Sequence, residues 1–242
     1  MIHTKHSYRS ILCLFLLPLL ALSIPQSKEA VAAQQVITPQ YIALTFDDGP
    51  SPDTTTARLL DGLKERGAHA TFFLIGNQIE DSKELIIRMR DEGHQVGNHT
   101  YSHTRLDKDS TAGLQELEKT DVLLCDLLGQ DEYWVRPPWG FVSDTVRKSA
   151  NVPLIYWSID TEDWRVRSTD TICRTIVQKA KSGDIVLLHD IYPESVDAAL
   201  RVIDTLGAQG YKFVTVEELF AKCGAAPLCG HFYTRPDAEV LW

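Results

Sequence analysis

Five short segments carry residue types that perform chemistry when a fold gathers them. Thr45-Phe46-Asp47-Asp48-Gly49-Pro50 places two adjacent carboxylates at the end of an apolar run. Successive side chains leave a strand on opposite sides, so one carboxylate can ligate a metal while the other stays free as a base. Asp-Gly and Gly-Pro equally suit a strand that simply ends in a turn. His99-Thr100-Tyr101-Ser102-His103 spaces two imidazoles at i and i+4. On one face of a helical turn, that spacing serves a tetrahedral Zn²⁺ site whose third ligand comes from elsewhere. Asp48 would complete three ligands and leave a position open to water. A pair of solvated loop histidines is the plain alternative.

Arg136-Pro137-Pro138-Trp139-Gly140 combines a cation with a stiffened turn. Arg136 can grip a carboxylate bidentately and keep it ionised, or form a surface ion pair. The two prolines hold the next backbone N–H, that of Trp139, in a fixed direction suited to an oxyanion. The last two segments are Asp160-Thr161-Glu162-Asp163-Trp164 and Ile185-Val186-Leu187-Leu188-His189-Asp190. His189 ends a run apolar enough to be buried, at the mouth of a site. A carboxylate such as Asp163 on one ring nitrogen would set its tautomer and raise its pKa, as a general acid near neutrality requires. A satisfied structural histidine fits the residues equally well.

Each of these clusters sits at or just beyond the C-terminal end of an expected strand. The strands are expected at 41–46, 70–76, 95–99, 133–137, 153–159, 184–189 and 212–216. Helices are expected at 53–66, 81–92, 110–128, 143–150, 168–181, 195–209 and 216–222. Gly67, Gly93, Gly183 and Gly210 mark where helices stop. The alternation points to an α/β fold of about seven parallel strand–helix units, as an open sheet or a barrel, and both build sites at the C-terminal ends of their strands. Neither GxGxxG nor GxxxxGK[ST] follows the first strand, so nucleotide binding loses support.

The 242 residues carry 24 basic and 33 acidic side chains, a net charge of −9. No basic field exists to collect phosphate backbones, so no nucleic-acid partner is expected. The chain opens with Lys5 and Arg9, runs through apolar residues 11–24, and reaches Ala30-Val31-Ala32. This is the layout of a cleavable signal peptide, and the apolar run is too short for a spanning helix. The expected division is therefore a signal peptide over 1–32, a linker over 33–40, a catalytic domain over 41–222 and a tail over 223–242. A secreted or periplasmic location follows, with no stable membrane span after cleavage. Export permits disulfides, and Cys223 and Cys229 flank a short tail segment that a staple would close. Cys125 and Cys173 suit either a bridge or two buried core positions. Oligomeric state is not set.

Taken in order, TFDDGP, HTYSH, RPPWG, DTEDW and LLH resemble the five motifs of the polysaccharide deacetylases, the carbohydrate esterase family 4 or NodB-homology domain. The resemblance spans residues 45–189 and implies a distorted (β/α) barrel holding a divalent metal, usually zinc, with cobalt or nickel as substitutes. It implies Asp47 as catalytic base, Asp48, His99 and His103 as metal ligands, and His189 as catalytic acid. Arg136 matches the residue orienting the base and Asp163 the one tuning the acid. Trp139 matches the oxyanion-binding N–H, while Trp164 and Leu187 match the lining of the acetyl-methyl pocket. The implied partner is an N-acetylated polysaccharide such as peptidoglycan or a chitin oligosaccharide. O-acetyl hydrolysis on a xylan-like polymer, and non-catalytic carbohydrate binding on the same fold, are the alternatives.

Overall fold

In the computed structural model, the apolar run that ends at Asp47 forms β1 (Gln40–Asp47), and the chain then alternates strand and helix. Residue 1 and residues 39–51, 54–129 and 132–240 are described. Apart from residue 1, the expected signal peptide lies outside the described residues, as does most of the linker. After β1 come α1 (Thr54–Arg66), β2 (Thr71–Leu74), α2 (Lys83–Asp91), β3 (Gln95–Asn98), α3 (Ser110–Leu128) and α4 (Asp144–Ser149). Two short strands follow, β4 (Leu154–Ile155) and β5 (Ile159–Asp160), then α5 (Asp163–Val166), α6 (Thr169–Lys179) and β6 (Ile185–His189). The chain continues through α7 (Pro193–Gly207), β7 (Tyr211–Phe213), α8 (Val216–Lys222), β8 (Phe232–Arg235) and β9 (Ala238–Val240).

The main sheet runs β3-β2-β1-β6-β5, with β7 on the first residues of β1, and every pairing is parallel. Parallel pairing follows from the crossover helices between successive strands. The expected strand at 133–137 is reduced to single bridges from Val135 to Asn98 and to Leu154. The expected strand at 153–159 is split: Leu154–Ile155 pairs with β8, while Ile159–Asp160 pairs with β6. One bent segment, 154–160, therefore carries the round from Val135 back to β6. The barrel is completed along the chain and not by a ladder between β4 and β5, which is its distortion.

Strand alternation divides the core. Ile42, Leu44 and Phe46 of β1, Phe72 and Leu74 of β2, and Val186 and Leu188 of β6 pack outward against α1, α6 and α7. Ala43, Phe73 and Ile185 point inward, where Val216, Leu219 and Phe220 of α8 fill the end of the barrel away from the site. Each such side chain larger than alanine contributes about 1.5–3 kcal/mol through burial. Helix starts follow the local sequence: Asp109 accepts from the Thr111 and Ala112 N–H groups, and Thr215 with Glu218 forms a capping box.

The segment read as a tail carries a hairpin whose β8 strand pairs with β4, and Phe232 and Tyr233 are buried. Cys223 and Cys229 are free and exposed, so the expected staple is not formed: Cys223 ends α8 while Cys229 lies in the turn before β8. Cys125 and Cys173 are also free; Cys173 is buried and Cys125 exposed.

Candidate metal and catalytic centre

β1 positions the first carboxylate by register alone. Asp47 lies opposite Phe73 of β2 and His189 of β6, and two residues earlier Thr45 lies opposite Leu187. Thr45, Asp47 and His189 thus share the inner face at the C-terminal end of the barrel. By the same alternation Asp48 should point away. Its backbone is instead left-handed (φ 70°), which ends the strand and returns its carboxylate to the same side. Asp48 Oδ1 then lies 3.5 Å from His99 Nε2 and 3.2 Å from His103 Nε2, while Oδ2 is 3.9 Å from His189 Nε2.

The two histidines do not share a helical turn, contrary to the expectation from their spacing. Residues 99–103 form a loop in which Thr100 (φ 69°) and His103 (φ 57°) are left-handed. Asn98 Oδ1 accepts from the Thr100 N–H at 2.8 Å, and Thr100 Oγ1 accepts from the Thr104 N–H at 3.1 Å. This local bonding replaces helical bonds and brings the ring centroids to 5.0 Å. His99 Nδ1 lies 2.6 Å from the Arg136 carbonyl, an acceptor, so Nδ1 carries the proton and Nε2 presents its lone pair toward Asp48.

Asp48, His99 and His103 each offer one ligand atom, and all three atoms lie within 4.8 Å of one another. Asp48 Oδ1 is buried without a hydrogen-bond partner, a costly state that a cation relieves. Burial and the neighbouring His99 push the His103 imidazole below its ordinary pKa, which keeps it in the neutral, ligating form. Two nitrogens and a carboxylate oxygen suit a divalent ion with an open position.

Arg136 is fully buried, so it is no surface pair. Its grip on Asp47 is single and not bidentate: Nη1 donates to Asp47 Oδ1 at 2.8 Å and to Thr45 Oγ1 at 2.6 Å. Two further bonds go to backbone, from Nε to the Ile155 carbonyl at 3.0 Å and from Nη2 to the Tyr156 carbonyl at 2.8 Å. Phe73 lies under the guanidinium at 4.2 Å.

On the other side of the cleft, His189 Nδ1 lies 2.7 Å from Asp163 Oδ1, and the His189 N–H donates to Asp163 Oδ2 at 2.8 Å. Ser195 Oγ donates to the same oxygen at 2.6 Å. Burial works against a charged His189, but the Asp163 bond and the charges of Asp163, Asp47 and Asp48 outweigh it and push the imidazole up to about 9. Burial likewise opposes ionisation of Asp163, yet its bonds from His189 and Ser195 hold that carboxyl below its usual range.

A cleft of about 390 Å³ is lined by Asp47, Asp48, His99, His103, Leu187 and His189 together with Trp139, Trp157, Asp160 and Trp164. Trp139 (φ 53°) and Trp164 are each more than half exposed, and Leu187 is buried at the cleft floor. Every residue expected in the centre is thus brought to one place or directly behind it. Sequence reasoning missed Thr45 and Ser195 as supports. Thr45 was legible, since it shares Asp47's face at a spacing of two. Ser195 carried no signal, because the first turn of α7 meets Asp163 only through the fold.

The family model for polysaccharide deacetylases matches residues 35–152. Among curated relatives, the peptidoglycan-N-acetylmuramic acid deacetylase PdaC of Bacillus subtilis is 39% identical over 82% of this chain, which spans 41% of that relative's length. A peptidoglycan-N-acetylglucosamine deacetylase of Bacillus cereus is 40% identical over 74% of this chain and 88% of its own. Among solved structures, a family 4 acetyl xylan esterase from Clostridium thermocellum, in complex with a cobalt ion, superposes with a TM-score of 0.77 at 28% identity, covering 82% of this chain and all of that one.

Proposed function

Because this chain belongs to the polysaccharide deacetylase family, we propose that it is a metal-dependent hydrolase removing acetyl groups from N-acetylglucosamine residues of an extracytoplasmic polysaccharide. Water adds across the amide, acetate leaves and a free amine remains on the sugar. Peptidoglycan is the first substrate and chitin oligosaccharide the second; the relatives named for peptidoglycan support the former. The amino-terminal segment supports export to the periplasm or the medium. The observation that carries the reading is the convergence of a three-residue ligand set, a buried Asp–Arg pair and a buried His–Asp pair on one cleft.

Asp48, His99 and His103 hold the metal, for which zinc is the first candidate and cobalt or nickel substitutes. When bound, a divalent ion there polarises the acetyl carbonyl and lowers the pKa of water. Asp47, oriented by Arg136, takes the proton of the attacking water at its other oxygen, Oδ2. The Trp139 backbone N–H is assigned to the developing oxyanion. With Nδ1 committed to Asp163, His189 presents Nε2 to the cleft and protonates the departing nitrogen. Trp164 and Leu187 exclude water around the acetyl methyl.

The similarity to an acetyl xylan esterase favours one second reading, ester hydrolysis on an O-acetylated xylan, with the same residues in the same roles. Acetate release from N-acetylglucosamine oligomers, from isolated peptidoglycan and from acetylated xylan separates the two, each measured before and after chelation and after zinc is returned. Release from the first two that stops with chelator and returns with zinc is the expected result. Release from xylan alone overturns the amide assignment, and release unaffected by metal overturns the ligand assignment.

A further inference from the structure

His103 and Trp139 stand in separate loops and meet ring to ring, their centroids 4.2 Å apart. Both have left-handed backbones, φ 57° and φ 53°, a conformation that a residue with a Cβ keeps only where its surroundings hold it. Two residues beyond each, the loops touch again: the Arg105 guanidinium lies over the Phe141 ring, 3.7 Å from its centroid. One residue further on, Leu106 and Val142 form a parallel bridge. There the Leu106 N–H donates to the Phe141 carbonyl at 3.3 Å and the Ser143 N–H donates to the Leu106 carbonyl at 3.0 Å. Leu106 is fully buried in a cluster with Leu117 of α3 and Val146 of α4, and Val142 packs against that cluster. The bridge is thus anchored in the core, and Arg105 on Phe141 lies between it and the two residues of the centre.

Arg105 is itself fixed. Its Nε and Nη2 donate to Asp107 Oδ1 and Oδ2 at 2.9 and 2.7 Å, a planar fork whose bonds lie at the edge of the guanidinium and leave its face for the ring. A partly exposed cation on an aromatic face adds little to global stability. We propose that Arg105 is a positioning residue that locks the His103 loop to the Trp139 loop through Phe141, so that the metal ligand and the oxyanion donor are set as one unit. The inference rests on the deacetylase reading, which assigns those two duties, and deepens it with a residue outside the motif segments. Charge alone has the opposite sign: a cation near a metal site repels the metal, so removing Arg105 would tighten zinc binding if no lock existed. Loss of the lock weakens it.

The test compares Arg105→Ala, Phe141→Leu and the double variant with the unsubstituted protein. Zinc affinity is read by competition with a chromogenic chelator, ligand geometry by the visible spectrum of the cobalt-loaded proteins, and acetate release with N-acetylglucosamine hexamer. Urea midpoints check folding. In Arg105→Ala zinc affinity is expected to fall about tenfold, as when a group supporting a ligand is lost, with an altered cobalt spectrum. Its kcat should fall about tenfold with KM unchanged, because the oxyanion bond is made in the transition state. Phe141→Leu should reproduce the loss of zinc affinity, and the double variant should bind zinc no more weakly than either single one, since both cut one link. Zinc affinity unchanged or tightened in Arg105→Ala, whether or not the urea midpoint falls, or additive losses in the double variant, overturns the lock while the deacetylase reading stands. If the unsubstituted protein binds zinc but releases no acetate, the deacetylase reading fails, and a weakened zinc affinity in Arg105→Ala still sustains the lock on His103. No zinc binding by the unsubstituted protein overturns both.

Discussion

Arg136 and Asp47 form a fully buried ion pair in which the guanidinium also bonds the carbonyls of Ile155 and Tyr156. The group that orients the proposed base therefore ties down the 154–160 segment that completes the barrel, so catalysis and closure share one side chain. In Arg136→Lys an ammonium with three N–H groups replaces a planar fork that serves four acceptors, so at least one buried acceptor is left unpaired. The expected outcome is a stability loss of about 1–3 kcal/mol by urea titration, together with a fall in kcat.

Asp47 and Asp48 are neighbours with separable duties. Asp48→Ala should lose bound zinc, measured by elemental analysis, and activity with it. Asp47→Asn keeps the ligand set and should retain zinc while kcat falls about 10²–10⁴-fold. Retained zinc and full turnover in both variants would remove the basis of the assignment.

His189 is held protonated by Asp163, and the proposed role requires the protonated ring. Activity should then decline on the alkaline side as that proton leaves. Asp163→Asn removes the charge and changes the bond at Nδ1, lowering the His189 pKa, so the alkaline limb of the kcat profile should shift to lower pH. An unmoved limb with reduced amplitude would mean that Asp163 serves architecture alone.

Gly49 lies against Asp190, a fully buried residue that accepts from Thr56 Oγ1 at 2.5 Å. A Cβ at position 49 would come within 2.7 Å of the Asp190 Cγ, and Thr56 in turn accepts from the Ser51 N–H, so the turn following Asp48 cannot accommodate it unshifted. Gly49→Ala should weaken zinc affinity about 10–100-fold, as loss of a group supporting a ligand does. Competition with a chromogenic chelator reads this directly.

His94 is buried between α2 and β3, and burial, followed by the nearby His69, pushes its imidazole down to about 4. Between pH 4 and about 6.5 the unfolded chain therefore binds a proton that the folded one refuses. Stability from this site is full above pH 6.5 and is lost as pH falls toward 4, by up to about 3 kcal/mol. In His94→Gln the difference between urea midpoints at pH 7 and pH 5 should shrink.

The longer helices and the strands β1, β2, β3 and β6 were legible because each is a local periodic pattern, whereas the short α5, outside every expected helix, was not. The strand at 133–137 and the split at 153–159 were not, because their pairing depends on Asn98 and on β6 and β8. The His99–His103 spacing marked the right pair by the wrong geometry: i,i+4 suits a helical turn, while left-handed residues at 100 and 103 make a loop deliver both rings. The hairpin at 232–240 passed as a tail because a short strand pair has little pattern until it finds β4.

Which chemical groups exist, and at which strand ends they stand, follows from residue type and strand alternation, both local properties of the chain. The tertiary structure decided their protonation and direction. Arg136 and Asp47 are 89 positions apart, and only the fold removes both from water, which turns an apparent surface pair into a buried one. His189 is raised and His94 lowered for the same reason: an imidazole's pKa follows its solvent and its neighbouring charges, and distant segments supply both.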